Sequence, residues 1–396
     1  MTMTPQVQSN VSTSDLHISL ELSLETWKIG FADRLGRNPR LRDVPAGDFQ
    51  LLRTEIRRAK KHFQLPEECP VYSIYEAGRD GFWIHRVLIS LGIENMIIDS
   101  ASLETTRRKR NPKTDRIDAR KLVSALMRYR TGDKTACRVI RIPDHVAEDA
   151  RHLQRELKTL KAEKTQHTNR IGSLLATQGV SKSINARFVE TLDATHTGDG
   201  RPLGDELRER LKREFRRLQL AVEQIRELQQ QQAKILRQAE KDHTQVARHA
   251  QLAQQLMMLG GIGPVSSWTL SAEVFAWRDI ANRRQLGALA GLTPTPYNSG
   301  SGEREQGISK SGRGDLRSLM IEIAWGWVRW QPDSELTKWY QRRFVDNKRS
   351  RKQGIVALAR KLLTALGKYI REGEIPAGAR LKKGPLRHTY MPSLSA

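Results

Sequence analysis

Two carboxylates three residues apart stand at the centre of the stretch 114–122, T-D-R-I-D-A-R-K-L. On a helix, Asp115 and Asp118 project from one face and could share a cation, with Ile117 and Leu122 directed elsewhere. Arg107, Arg108, Lys109, Arg110 and Lys113 lie just upstream and form a cluster that attracts phosphate. Acids set within bases suit metal-assisted chemistry on a nucleic-acid backbone. The same residues also suit a plain helix start, with the acids at the positive end of the dipole and the charges solvated. Further along, G-L-T-P-T-P-Y-N-S-G-S-G at 291–302 offers two hydroxyls, Ser299 and Ser301. Pro294, Pro296, Gly300 and Gly302 are expected to keep this loop irregular, and serine beside glycine is ordinarily turn chemistry.

The elements that must position these residues are legible in the pattern. Leu16, Ile18, Leu20 and Leu22 alternate with His17, Ser19, Glu21 and Ser23, the period of a strand, and 27–31 reads as its hairpin partner. Glu21 thus lies on the face opposite the apolar one. A helix is expected over 48–63 with Asp48 as N-cap, then a buried strand at 71–75 ending at Glu76, a helix at 82–91 and a strand at 96–98. Alternating strands and helices after an opening hairpin describe an α/β sheet, and Glu76 falls at a strand's carboxyl end, where such sheets place their sites. Taken singly, Glu21 is an exposed strand residue and Glu76 a strand-end acid. Four acids arriving at one sheet edge match the ribonuclease H type of fold, whose carboxylates bind two Mg²⁺ ions for phosphodiester cleavage.

Beyond Pro143, Leu153, Leu157, Leu160, Lys164, His167, Ile171 and Leu174 fall at alternating spacings of four and three. Leu218, Val222, Ile225, Gln229, Gln232 and Leu236 repeat that seam, so two long helices with a connector at 179–202 are expected, paired within the chain or with a second protomer. At 261–264, G-I-G-P places Gly261 and Gly263 in a tight turn before a proline-started helix, an arrangement resembling the helix-hairpin-helix element that grips DNA phosphates; a plain helix connection uses glycine equally well. Lys310 and Arg313 sit in I-S-K-S-G-R-G-D. Leu316, Leu319, Met320, Ile323, Trp327 and Trp330 form the apolar stripe of a following helix, with the tryptophans read as core. Arg342, Arg343, Lys348, Arg349, Arg351 and Lys352 form a second phosphate-binding candidate or a solvated basic face. A last helix at 355–370 precedes a basic tail expected to be flexible.

Composition narrows the partner. The chain has 396 residues and a net charge of +24, from 68 Lys and Arg against 44 Asp and Glu. That length suggests about two to three domains, and that charge favours a polyanion, DNA or RNA. No run reaches the roughly 18 apolar residues of a spanning helix and residues 1–10 lack a signal peptide's apolar core, so a cytoplasmic protein is expected, with residues 1–14, rich in Thr, Ser and Gln, as a disordered N-terminus. Cys69 and Cys137 form no C-x-x-C pair, and the ten histidines lack ligand spacing.

In this order, Y-E-A-G (75–78), K-T-D-R-I-D-A-R-K-L (113–122), G-I-G-P (261–264), P-Y-N-S-G (296–300) and G-I-S-K-S-G (307–312) resemble the DEDD transposases of the Piv type, insertion-sequence family one-hundred-ten, subgroup eleven-eleven. The resemblance spans about 16–371. It implies a RuvC/ribonuclease H-like DEDD nuclease domain (15–145), a long α-helical coiled-coil arm (146–245) and a mainly α C-terminal transposase domain (246–375) with a helix-hairpin-helix-like element, followed by the basic tail (376–396). It further implies an insertion-sequence transposase guided by a bridge RNA that pairs with donor and target DNA, acting as a dimer or tetramer. By motif match Glu21, Glu76, Asp115 and Asp118 become Mg²⁺ ligands and Ser299 the nucleophile of a phosphoserine linkage, with Ser301 as runner-up. One position departs from the family: its first acid is usually Asp in a D-V-S-K strand, whereas this chain reads E-L-S-L, with Glu21 there and Leu24 in place of Lys. The extra methylene strains an octahedral shell of roughly 2.0–2.1 Å bonds, and Mn²⁺ is the more tolerant alternative. Two other readings remain open, a hydrolytic RuvC-like junction nuclease and a non-catalytic nucleic-acid-binding protein.

Overall fold

The alternation at 16–22 forms strand β1 (Leu16–Glu21), and β2 (Thr26–Ala32) returns beside it with His17 opposite Ala32 and Glu21 opposite Lys28. The computed structural model describes residues 15–78, 81–99, 115–241, 248–278, 280, 282–299, 302–344 and 348–382, without the side chains of 115–117, 240–241, 296–299, 302–306 and 348–349. The expectations placed on Arg107, Arg108, Lys109, Arg110, Lys113 and Ser301 lie outside the described residues. The chain is mixed α/β, with an amino-terminal sheet and a helical remainder, and divides into two units, 1–142 and 143–396.

In the first unit β3 (Arg40–Pro45), β4 (Val71–Glu76) and β5 (Glu94–Ile98) complete a sheet of order β3-β2-β1-β4-β5. The strands β3, β2 and β1 run antiparallel, whereas β4 and β5 run parallel to β1. β3 was not legible in the pattern because R-L-R-D-V-P buries only Val44; charge is how an edge strand avoids pairing with other chains. One sheet face, with Leu16, Ile18, Leu20, Trp27, Ile29 and Phe31, is covered by α1 (Phe49–His62) and α2 (Trp83–Ser90). Asp48 caps α1 as expected, accepting from the Leu51 amide at 2.8 Å. The other face carries His17 and Ser19 and is also buried, beneath α3 (Asp115–Arg130), whose Leu122 and Leu126 pack on Ile74 and Ile98. Gly30 makes that approach possible: a Cβ there would lie 2.7 Å from Ser19 Oγ and 3.3 Å from Ala119 Cβ.

In the second unit α4 (His145–Ala176) and α5 (Asp205–Lys241) pack on each other, so the two heptad seams meet within one chain. Leu157 and Leu160 pack on Ile225, while Ile171 and Leu175 join Leu211, Phe215 and Leu218. The connector contributes Phe188, Leu192 and Leu203 to that second cluster, which closes the tip of the pair. His167, a polar seam position, is 2.7 Å from Glu214, which also accepts from Arg170 and Arg217.

Then follow α6 (Arg248–Met257), α7 (Pro264–Leu270), a π-turn (Ser271–Phe275), α8 (Arg283–Leu289), β6 (Pro294–Ser299), β7 (Gly302–Ile308), α9 (Gly314–Trp330), α10 (Glu335–Phe344) and α11 (Lys348–Glu372). Their shared core includes Leu256, Leu286, Met320, Trp327, Leu358 and Leu362. The expectation of irregular backbone over 291–302 is corrected: β6 and β7 form an antiparallel hairpin, with Ser299 paired to Gly302. A two-stranded ribbon accommodates the prolines because each strand has only one hydrogen-bonded edge, and the register slips by one residue between Pro294 and Pro296. Trp327 is core as expected, but Trp330 is 61% exposed and Trp325 48%. The segment expected as a flexible tail is docked over its first residues: Leu381 bridges to Leu259, and Lys382 donates to Met258 O and Ile262 O. No helix among the described residues is long and apolar enough to cross a membrane.

Candidate active site and nucleic-acid contacts

Strand register decides where the first acids fall. Glu21 and Glu76 lie one step beyond the Leu20–Tyr75 pair of the parallel strands β1 and β4, hence level with each other at their carboxyl ends. Parallel neighbours at the same level share a sheet face, and by alternation that face is the one with Ser19 and Ile74. It is the face α3 covers. Asp118 stands in the first turns of α3, one turn before the sheet-packing Leu122, with its carboxylate 23% exposed and 3.7 Å from Lys121 Nζ. Asp115 is the first residue of α3, and its side chain is outside the description. Three of the four predicted acids are therefore brought to one end of one sheet face by two strands and a helix. Among the described residues no three His, Cys, Asp or Glu side chains are grouped closely enough to hold a metal ion. The oxygen-only donor set nonetheless has the chemistry of a hard divalent cation such as Mg²⁺ or Mn²⁺.

Ser299 ends β6, paired with Gly302 at the start of β7. The hairpin's root is held by backbone contacts that explain two motif glycines. A Cβ on Gly312 would come 2.3 Å from Ala288 O and from Gly291 N, and Gly291 itself has φ of +62°. Ser309 N–H donates to Thr293 O, Lys310 N–H to Gly291 O and Arg313 N–H to Leu289 O, at 2.8, 3.2 and 2.7 Å. Lys310 is exposed and holds a left-handed φ of +55°. Arg313 points inward: it donates to Glu273 of the π-turn and in two places to Asp315. Burial works to raise the Asp315 pKa, but the Arg313 guanidinium overrides it and holds the carboxyl at about 2. Burial likewise opposes the charge on Arg313, and Asp315 and Glu273 outweigh it, leaving its pKa above the usual arginine value.

Gly261 takes φ of +89° and backs onto Gly326 and Trp330 of α9. Gly263 is the extended N-cap of α7 with Pro264 following, as the G-I-G-P pattern predicts. Here the turn's Ile262 carbonyl already accepts from the Lys382 ammonium, at 2.7 Å. Arg342 and Arg343 occupy the last turn of α10 and, like Arg351 and Lys352 early in α11, are exposed. Lys348 and Arg349 open α11, with side chains outside the description. Glu273 is the residue that sequence reading missed; its signal was an acid inside the apolar run S-A-E-V-F.

A mixed sheet followed by a helical unit, in a chain of net charge +24, suits a protein with a polyanionic partner. Residues 253–340 match the family described as Transposase IS116/IS110/IS902 family. The chain is similar to "Putative transposase y4rJ" of Sinorhizobium fredii (strain NBRC 101917 / NGR234), 39% identical over 377 residues that cover 93% of this chain and 94% of that one. It is also similar to the transposase for insertion sequence element IS1111A of Coxiella burnetii (strain RSA 493 / Nine Mile phase I), 24% identical over 70% of this chain and 71% of that protein. A shorter match, 33% identical over 72 residues, covers 18% of this chain and 22% of the transposase for insertion sequence element IS1328 of Yersinia enterocolitica. The chain belongs to the IS116/IS110/IS902 family of transposases, and its substrate is DNA. The matched stretch contains the π-turn, the serine hairpin and α9.

Proposed function

We propose that this transposase cuts and rejoins DNA with Ser299 as nucleophile and Glu21, Glu76, Asp115 and Asp118 as the acidic site. The observation that carries the acidic half is the level placement of Glu21 and Glu76 on adjacent parallel strands, beneath the amino end of the helix that holds Asp115 and Asp118. The order β3-β2-β1-β4-β5, with three antiparallel strands and two parallel ones, supports the ribonuclease H type for this unit, and with it the RuvC-like assignment. The four carboxylates would hold Mg²⁺ or Mn²⁺, which would supply charge stabilisation for the scissile phosphate and the departing oxygen.

In the cleavage step Ser299 Oγ forms a bond to phosphorus, one sugar–phosphate ester bond breaks, and the serine's proton ends on the released sugar hydroxyl. A second sugar hydroxyl then attacks the phosphoserine, restoring Ser299 and a DNA ester. The number of ester bonds is conserved, so strand exchange requires no ATP. Ser299 belongs to one unit and the acids to the other, so the DNA complex must bring both to one phosphate. Exposed Lys310, Arg342, Arg343, Arg351 and Lys352 are the described phosphate-binding candidates, and their contacts with the backbone carry no base code. Target choice is assigned to a guide RNA that pairs with donor and target, in line with a basic chain whose binding is chiefly electrostatic.

The test is the covalent adduct. Purified full-length protein with its co-purifying RNA is incubated with a duplex spanning an end of the insertion element and resolved on denaturing gels. Ser299→Ala loses the protein–DNA adduct, and Asp118→Asn reduces its formation by two orders of magnitude or more while DNA binding persists. Cutting that survives Ser299→Ala without an adduct favours the hydrolytic reading, and unchanged exchange in Asp118→Asn removes the acidic site from the reaction. Absence of any specific co-purifying RNA ends the guide assignment.

A further inference from the structure

The serine hairpin leaves β7 and enters α9 through a single short crossing, and that crossing is fastened by one guanidinium. Arg313 Nη1 donates to Glu273 Oε2 at 2.5 Å, while its Nε and Nη2 donate to the two oxygens of Asp315 at 3.2 and 2.6 Å. Glu273 lies in the π-turn and is 2% exposed, and its other oxygen accepts from Arg155 Nε of α4 at 3.3 Å. Asp315 Oδ2 is also 3.8 Å from Lys158 Nζ, again on α4. The backbone of the same residue holds the other side of the hairpin's root, since Arg313 N–H donates to Leu289 O, two residues before Gly291. One residue therefore links both ends of the hairpin to the π-turn and, through shared carboxylates, to the long helix of the arm.

We propose that Arg313 is a positioning residue, which fixes the root of the hairpin against the π-turn and α4 and so sets where the hairpin presents Ser299. The inference rests on the reading of Ser299 as nucleophile, and it removes Arg313 from the phosphate-binding candidates. Glu273 and Asp315 already occupy three of its five N–H directions and offset its charge, so a phosphate would have to compete with two carboxylates for the two N–H groups that are left. A planar fork is needed to span Glu273 and Asp315 together; lysine, a point charge, satisfies one of them well and the other poorly. Misplacing a reacting group by about 1 Å costs on the order of a hundredfold in rate, so a loosened root appears in the chemical step rather than in DNA affinity.

The experiment uses the full chain with its RNA, comparing wild type, Arg313→Gln, Arg313→Lys, Glu273→Gln and Ser299→Ala. Hydrogen exchange is read at the Ser309, Lys310 and Arg313 amides, and kcat and KM for adduct formation are read on the element-end duplex. In Arg313→Gln, kcat falls at least tenfold with KM within twofold, and the three amides exchange at least tenfold faster; Arg313→Lys recovers part of both losses. Glu273→Gln keeps the side chain's shape, so it carries the same expectation should Arg313→Gln fail to fold. A rise in KM with kcat retained makes Arg313 a phosphate contact and overturns the proposal, as does unchanged protection of the three amides. An adduct that persists in Ser299→Ala defeats the nucleophile assignment alone, since the exchange measurement still decides whether Arg313 holds the root.

Discussion

At the scale of single residues, the first unit stores a pH dependence in His17. The polar half of the β1 alternation is buried beneath α3, and His17, 4% exposed, stacks on Tyr72 with Arg130 over the same ring. Burial first, and then the Arg130 charge, push its pKa down to about 4, against smaller opposing effects of Asp15 and Asp33. The unfolded chain takes up this proton near the ordinary value of 6.5 and the folded chain does not until about 4, so stability falls as pH drops through that window. With a change of one pKa unit equivalent to about 1.4 kcal/mol, the loss between pH 7 and 4.5 is about 2–3 kcal/mol. His17→Phe keeps a ring against Tyr72 and cannot titrate. Urea denaturation of both proteins at the two pH values should show the decline in wild type and a shallower one in the variant; parallel declines would place the acid sensitivity elsewhere.

At the scale of elements, the α4–α5 pair combines apolar seam positions with a polar layer that lacks full satisfaction. Gln232 is 2% exposed and Gln229 is 8%, and neither Nε2 has a hydrogen-bond partner among the described residues. By contrast, Glu214, earlier in α5, is well served: burial works to raise its pKa, but His167, Arg170 and Arg217 hold it below the usual carboxylate range. A buried donor left unmatched costs about 1–3 kcal/mol, whereas polar seam positions of this kind can fix helix register. Gln232→Met matches the side chain in length and removes the donor, so it should stabilise the second unit by about 1 kcal/mol in thermal or urea unfolding. A destabilised variant would mean that the amide has a partner, such as an enclosed water, worth more than its burial costs. The elements that could be read in advance share one property: a face buried along a regular period, as in β1, α1 with its Asp48 cap, α4 and α5. β3 escaped because it buries one residue, and β6 and β7 escaped because their prolines sit where a lone ribbon tolerates them. The contacts of Glu273 with Arg155 and Arg313 span 118 and 40 residues, and ion pairs over such distances leave no local pattern. That Asp115 and Asp118 share a helix was legible because their spacing is local, while the level placement of Glu21 and Glu76 required knowing that β1 and β4 run parallel.

At the scale of the whole molecule, the second unit is closed by a meeting of distant segments around Gln331. This side chain is fully buried between α9 and α10; its Nε2 donates to Gly260 O and Arg380 O at 3.0 and 2.8 Å, and its Oε1 accepts from Arg380 N–H at 2.7 Å. The same stretch supplies Ala377 O to the Glu335 amide at the start of α10, pairs Arg380 with Asp333, and joins Leu381 and Lys382 to the glycine turn. A glycine turn read as a phosphate grip is thus also the seat of the chain's own 376–382 segment, which fixes the carbonyl side of the turn while the Gly263 end opens α7. Ending the chain after Glu374 strips two of the three bonds from a buried amide along with the backbone bridge, a loss of about 2–6 kcal/mol at roughly 1–3 kcal/mol per abandoned buried group. Ending it after Lys382 leaves every one of these contacts in place. Thermal unfolding should therefore separate the two truncations by several degrees, with the longer one close to the intact chain. Equal melting temperatures for the two would show that the turn and Gln331 hold their conformation without the segment. A loss of DNA affinity confined to the longer truncation's missing residues would assign the remaining basic charges of 383–396 to binding rather than to folding.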